Sequence, residues 1–82
     1  MAKNPAISAR PLWAIRLQKA REDAGYRFAT DFARLMGLSQ QRYAQYEAGV
    51  REPNIELLAA LCAALNTSAD YIIFGRNFTN AA

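Results

Sequence analysis

The sequence predicts an all-α fold, a compact five-helix domain, and three observations carry that reading. No run of residues alternates apolar and polar with the period of two that a half-buried strand requires. β-Branched residues are sparse, whereas 17 of the 82 residues are alanine, the strongest helix former. Apolar residues instead recur at spacings of three and four, in segments punctuated by glycine and by Ser, Asn or Pro where helix ends need them.

In chain order, residues 1–10 read as a flexible N-terminal arm, residues 11–75 as the folded domain and residues 76–82 as a tail. Pro11 suits the first turn of a helix, because the N–H it lacks would find no partner there anyway. That helix places Trp13, Leu17, Ala20 and Ala24 on one face and ends at Gly25. A second helix, from Ala29 to Met36, turns Phe32, Ala33 and Met36 inward and stops at Gly37. Ser39 caps a third, from Gln40 to Ala48, which Gly49 terminates. Asn54 caps a fourth, with Ile55, Leu58, Leu61, Cys62 and Leu65 on one face. A fifth begins near Ser68 and buries part of Tyr71-Ile72-Ile73-Phe74 before Gly75.

Composition excludes several functions. A chain that is 52% hydrophobic and 21% charged has the apolar content to fold, and its length allows one domain. With no His and with Cys62 as its single Cys, it lacks the ligands of a zinc site, the pair for a disulfide and the couple of a thiol enzyme. Carboxylates are few, and Glu22 and Asp23 read as a solvated pair near a helix end. The expectation is therefore no enzyme, no metal and no cofactor. No stretch approaches the roughly 18 consecutive apolar residues of a membrane span, and the opening Met-Ala-Lys-Asn-Pro is no signal core. A cytoplasmic location without membrane attachment is the default.

The net charge of +3 is unevenly spread. Up to Arg51 there are nine basic residues against four acidic ones, and from Glu52 onward one against three. A basic front and an acidic back suit a domain with one nucleic-acid face, and equally a solvated charge distribution.

The third helix is the informative one. Each residue advances about 100° around the axis, so with Gln40 at zero, Ala44, Ala48, Gln41 and Gln45 fall within roughly 140°. Tyr46 and Tyr43 lie opposite, at about 240° and 300°, and therefore face the core, with Arg42 and Glu47 on the flanks. The outer face thus carries three amides and two alanines, with no charge and no bulky apolar group. An ordinary solvated face tends to carry Lys and Glu. A face entering the major groove needs small residues for close approach and side chains that both donate and accept. Glutamine pairs with adenine N6 and N7, and an alanine methyl rests on the thymine methyl; the alternative for this segment alone is a solvated face of Ala and Gln chosen for helix propensity.

Residues 16–75 resemble the Xre/Cro-type helix-turn-helix family of phage and bacterial repressors. The motif residues are Ala33 as the small residue of the first motif helix, Gly37 in the turn, and Phe32, Met36, Leu38, Tyr43 and Tyr46 at the inward positions. Tyr46-Glu47-Ala48-Gly49, Arg51-Glu52-Pro53, Leu57-Leu58 with Leu65, and Tyr71 to Gly75 follow in the family's order and spacing.

The resemblance implies a lambda-repressor-like domain whose second and third helices form the helix-turn-helix. It implies that Gln40, Gln41, Ala44 and Gln45 read bases, and that Thr30, Ser39, Arg42, Arg51 and, less centrally, Arg27 bind phosphates. Each of these Arg residues is also compatible with a solvated surface charge, and Ser39 with capping alone. It further implies a structural ion pair between Arg21 and Glu47. Lys3 and Arg10 in the arm are open to phosphates or a minor groove, or to plain solvation. Three departures thin the phosphate clamp: Ala29 replaces a glutamine common there, Val50 replaces a polar or basic residue, and the link through Gly25 to Phe28 is one residue longer.

The function so implied is a cytoplasmic transcriptional regulator of a bacterial or phage-infected cell. It would bind double-stranded DNA as a homodimer on a pseudo-palindromic operator and act as a repressor. The sequence shows no effector domain, which favours a small phage or prophage regulator or the antitoxin-type DNA-binding partner of a toxin. The alternative from a different class is a helix-turn-helix domain used for protein interaction. The expected dimer contact is the fifth helix with the apolar stretch from Tyr71 to Phe78.

Overall fold

The computed structural model describes residues 10–76, and five helices with no strand are found among them. They are α1 (Leu12–Asp23), α2 (Ala29–Leu35), α3 (Gln40–Ala48), α4 (Ile55–Leu65) and α5 (Ala69–Phe74). The arm proposed for residues 1–10, including Lys3, lies outside the described residues except for Arg10. So does the tail beyond Arg76, including Phe78 of the expected dimer contact. Arg10 folds back on α1, donating from its guanidinium to Gln18 Oε1 at 2.8 Å.

Local chemistry sets the helix ends. Ser39 Oγ accepts from Arg42 N at 3.0 Å, Asn54 Oδ1 from Leu57 N at 2.8 Å and Ser68 Oγ from Tyr71 N at 3.0 Å. Each bond satisfies an N–H that the first helical turn leaves without a partner. Pro11 sits one position earlier than the sequence suggests, as the N-cap of α1 with φ −65°. The turn between α2 and α3 needs Gly37, whose φ of +73° is left-handed. Gly37 N then donates to Arg34 O and Leu38 N to Ala33 O, which closes α2 and redirects the chain into α3.

The core is built where these helices meet. Helix α1 packs against α3 and α5, α2 against α3, and α4 against α5. Leu17, Phe32, Ala33, Tyr43, Tyr46, Leu61, Leu65 and Ile72 are buried together with Ala20 and Cys62. Phe32 holds the aromatic centre, 5.4 Å from Tyr43 in an edge-on arrangement and 5.1 Å from Tyr26 in a tilted one. Met36 and Leu38 pack half-buried at its edge. Cys62 is a free, buried thiol whose pKa burial pushes up, which suits a packing role.

Two inward assignments are corrected. Ala24 is exposed, because α1 ends at Asp23 and Ala24 is its C-cap. Ile55 is 85% exposed, because the first turn of α4 projects past the packed helices. In α1 the fully buried small residue is Ala14, which lies against Gly49.

Candidate nucleic-acid interface

Burial of one face of α3 presents the other. Tyr43 and Tyr46 are buried at 0% and 2% exposure, so the opposite side of the helix is forced outward. Gln40, Gln41, Ala44 and Ala48 are exposed there, and Gln45 is half-buried. None of these five residues is charged.

Glu47 anchors the inner side. Arg21, itself buried, donates from Nε to Glu47 Oε2 at 2.7 Å and from Nη2 to Glu47 Oε1 at 3.1 Å, the planar fork that suits a carboxylate. Its remaining terminal nitrogen donates to the carbonyls of Tyr26 and Arg27 at 2.7 and 2.9 Å. The guanidinium therefore ties the end of α1 to the α1–α2 link and to α3. Tyr43 adds its hydroxyl, donating to Glu47 Oε2 at 2.5 Å. Burial first, and the hydrogen bond to the Glu47 carboxylate second, push the Tyr43 hydroxyl pKa well above its ordinary value.

At the far end of α3 the chain reverses sharply. Gly49 adopts φ +78°, and a Cβ built on it would overlap the ring of Pro11. Val50 N and Arg51 N both donate to Gln45 O, at 3.0 and 3.3 Å, so the strand of chain after the helix turns back over its last turn. That reversal brings the Arg51 side chain beside Gln45, where Nε donates to Gln45 Oε1 at 3.1 Å.

The side chains named from the sequence separate into two groups. Ser39, Gln41, Arg42, Gln45 and Arg51 line one shallow polar groove along α3. Gln40 and Ala44 lie on the exposed strip beside it. Arg42 is steadied by its own helix, with Nε donating to Tyr46 Oη at 3.1 Å. Thr30, half-buried, and Arg27 lie at the entry to α2, outside that groove, and the Arg27 guanidinium rests over the Phe28 ring at 5.5 Å.

Sequence reasoning missed two contacts. The bond from Arg51 to Gln45 depends on a reversal that no helical wheel displays. Arg16 was not singled out at all, yet its guanidinium donates to the carbonyls of Ile72 and Ile73 at 3.4 and 3.1 Å, closing the end of α5. A basic residue immediately before the buried Leu17 was the available signal, and it did not reveal its partner.

Among the described residues no group of His, Cys, Asp and Glu is placed to hold a metal ion, and no helix is long and apolar enough to cross a membrane.

Comparison with known proteins agrees with this architecture. The helix-turn-helix family model matches residues 17–72, which spans every element from the middle of α1 into α5. The chain is 35% identical over 60 residues to the SPbeta prophage-derived HTH-type transcriptional regulator YonR of Bacillus subtilis (strain 168), itself named uncharacterized. That alignment covers 73% of this chain and 55% of the relative, so the chain spans about half the length of the protein it resembles. No solved structure matches. With the turn at Gly37, the buried Tyr43 and Tyr46 and the matched span in agreement, the chain belongs to the Xre/Cro-type helix-turn-helix family.

Proposed function

We propose that this domain is a sequence-specific reader of double-stranded DNA, with α3 lying in the major groove, and that it serves transcriptional regulation as a repressor. The observation that carries the reading is the outward strip of α3: Gln40, Gln41, Ala44 and Gln45, uncharged and presented by the burial of Tyr43 and Tyr46. Amides that donate and accept, set between small residues, suit base edges at close range. Ser39, Arg42 and Arg51 flank the strip as phosphate donors, and Thr30 and Arg27 supply a second set at the start of α2.

The relative's name, a prophage-derived transcriptional regulator, supports the regulatory part of this reading. Two copies would place their α3 helices one helical turn apart on a pseudo-palindromic operator. The surface proposed for that homodimer is α5, where Ile73 and Phe74 are 46% and 58% exposed. A second reading, a domain that docks on a protein such as a toxin, is favoured by the apolar groove that Trp13, Pro53, Leu58, Ile72 and Ile73 line.

Selection of a random duplex library at about 0.1 M salt distinguishes them, since nonspecific binding is weakened there without being abolished. A two-fold motif with A-rich half-sites is expected. Retention without an enriched motif, collapsing as salt is raised, would overturn the sequence-reading function.

A further inference from the structure

We infer that Arg51 is a positioning residue for base reading: it fixes the amide of Gln45, and so couples attachment at the DNA backbone to recognition of one base pair. This rests on the reading of α3 as the DNA-facing helix. Three observations lead to it. The Arg51 Nε–H donates to Gln45 Oε1 at 3.1 Å. The backbone N–H groups of Val50 and Arg51 both bond to Gln45 O, so the turn itself holds Gln45 and Arg51 side by side, within reach of each other's side chains. Gln45 is half-buried where Gln40 and Gln41 are exposed.

The chemistry follows from the amide. A free glutamine can rotate by a half turn and exchange its donor and acceptor, so it accommodates bases of opposite pattern. With Arg51 on Oε1, the oxygen side is assigned and Nε2 takes the other edge. The conformational cost of ordering that side chain is then met before DNA arrives. Arginine suits the task because this contact uses only Nε–H, one of five donors in a rigid plane, and the two terminal nitrogens can meet a phosphate at the same time. Lysine carries the same charge but offers one compact ammonium, and it does not reproduce that two-way geometry.

A residue that only binds phosphate weakens all sequences alike, so the discriminating quantity is the preference at a single base pair. The test uses the full chain, the duplex recovered by selection, and the variants Gln45→Ala, Arg51→Lys and their combination. The pair read by Gln45 is the one at which Gln45→Ala loses discrimination. Arg51→Lys is expected to keep the salt slope and the melting temperature while losing discrimination at that same pair by about tenfold. The double variant should lose no more than Gln45→Ala alone. Full discrimination in Arg51→Lys, losses that add in the double variant, or no position that responds to Gln45→Ala would overturn the inference and leave the DNA-reading function standing. A wild-type protein with no preferred sequence would overturn that function and the inference with it.

Discussion

Arg21 holds Glu47 with two nitrogens, at 2.7 and 3.1 Å, and through that one carboxylate the first helix is fastened to the helix that faces outward. The pair is shielded, with side-chain exposures of 5% and 12%. Removing one member of such a pair leaves the other charge without compensation in a poorly solvated place, a cost of about 3–5 kcal/mol. Arg21→Ala is therefore expected to lower Tm by at least roughly 10 °C in a domain of this size. Thermal melts by circular dichroism measure this directly, and an unchanged Tm would remove the pair from the account of stability.

Tyr43 gives the same cluster a pH dependence. Its hydroxyl is held neutral by burial and by the Glu47 carboxylate, so its folded-state pKa lies above the unfolded value of about 10. A raised pKa contributes stability that is fully present below the unfolded value. That contribution is lost as pH rises beyond it, because the unfolded chain then releases a proton that the folded chain retains. Stability should fall above roughly pH 10, and the slope should be shallower in Tyr43→Phe. Parallel slopes in the two proteins would show that Tyr43 is not the group responsible.

Gly49 is expected to tolerate no side chain. Its left-handed φ of +78° costs a residue with a Cβ about 1–2 kcal/mol, and here the added atom would also overlap Pro11. Gly49→Ala should destabilise the domain by more than that conformational cost alone. Gly37→Ala is the comparison, since its φ is +73° but no atom lies within 4 Å of the added Cβ. Equal losses at the two glycines in urea denaturation would argue against the contact with Pro11.

Ser39 has a separable structural role. Its hydroxyl oxygen accepts from Arg42 N, and losing such a cap typically costs about 1 kcal/mol. Ser39→Asp keeps the cap and places a negative charge at the proposed phosphate contact. Ser39→Asp should therefore melt close to the wild type and bind DNA less well, whereas Ser39→Ala should lose stability. Undiminished DNA binding by Ser39→Asp would confine Ser39 to capping.

Particular residues show what was legible in the sequence. The limits of α3 followed from Ser39 and Gly49, because a hydroxyl cap and a left-handed glycine act locally and need no knowledge of the fold. Its two faces followed from periodicity, since Tyr43 and Tyr46 could not both be solvated. Periodicity gives a direction without an extent, however. Ile55 and Ala24 point the same way as buried neighbours but lie where a helix begins or has already ended, so nothing covers them. Arg21 could be named only through family resemblance, because its partner is 26 residues away and α1 must first pack on α3. The bond from Arg51 to Gln45 was hidden for a related reason: it exists only once Gly49 has reversed the chain.

The central claim is that amides on α3 read bases in the major groove, and the most direct measurement removes a single acceptor from the DNA. Adenines of a selected half-site would be replaced one at a time by 7-deazaadenine, which lacks N7, and affinities compared for the wild type and Gln41→Ala. At one adenine the wild type should lose roughly 1 kcal/mol, about fivefold, while Gln41→Ala, already lacking the contact, should lose nothing further. Losses of the same size in both proteins at every adenine would remove Gln41 from base reading, and no loss at any adenine would contradict base reading by this helix.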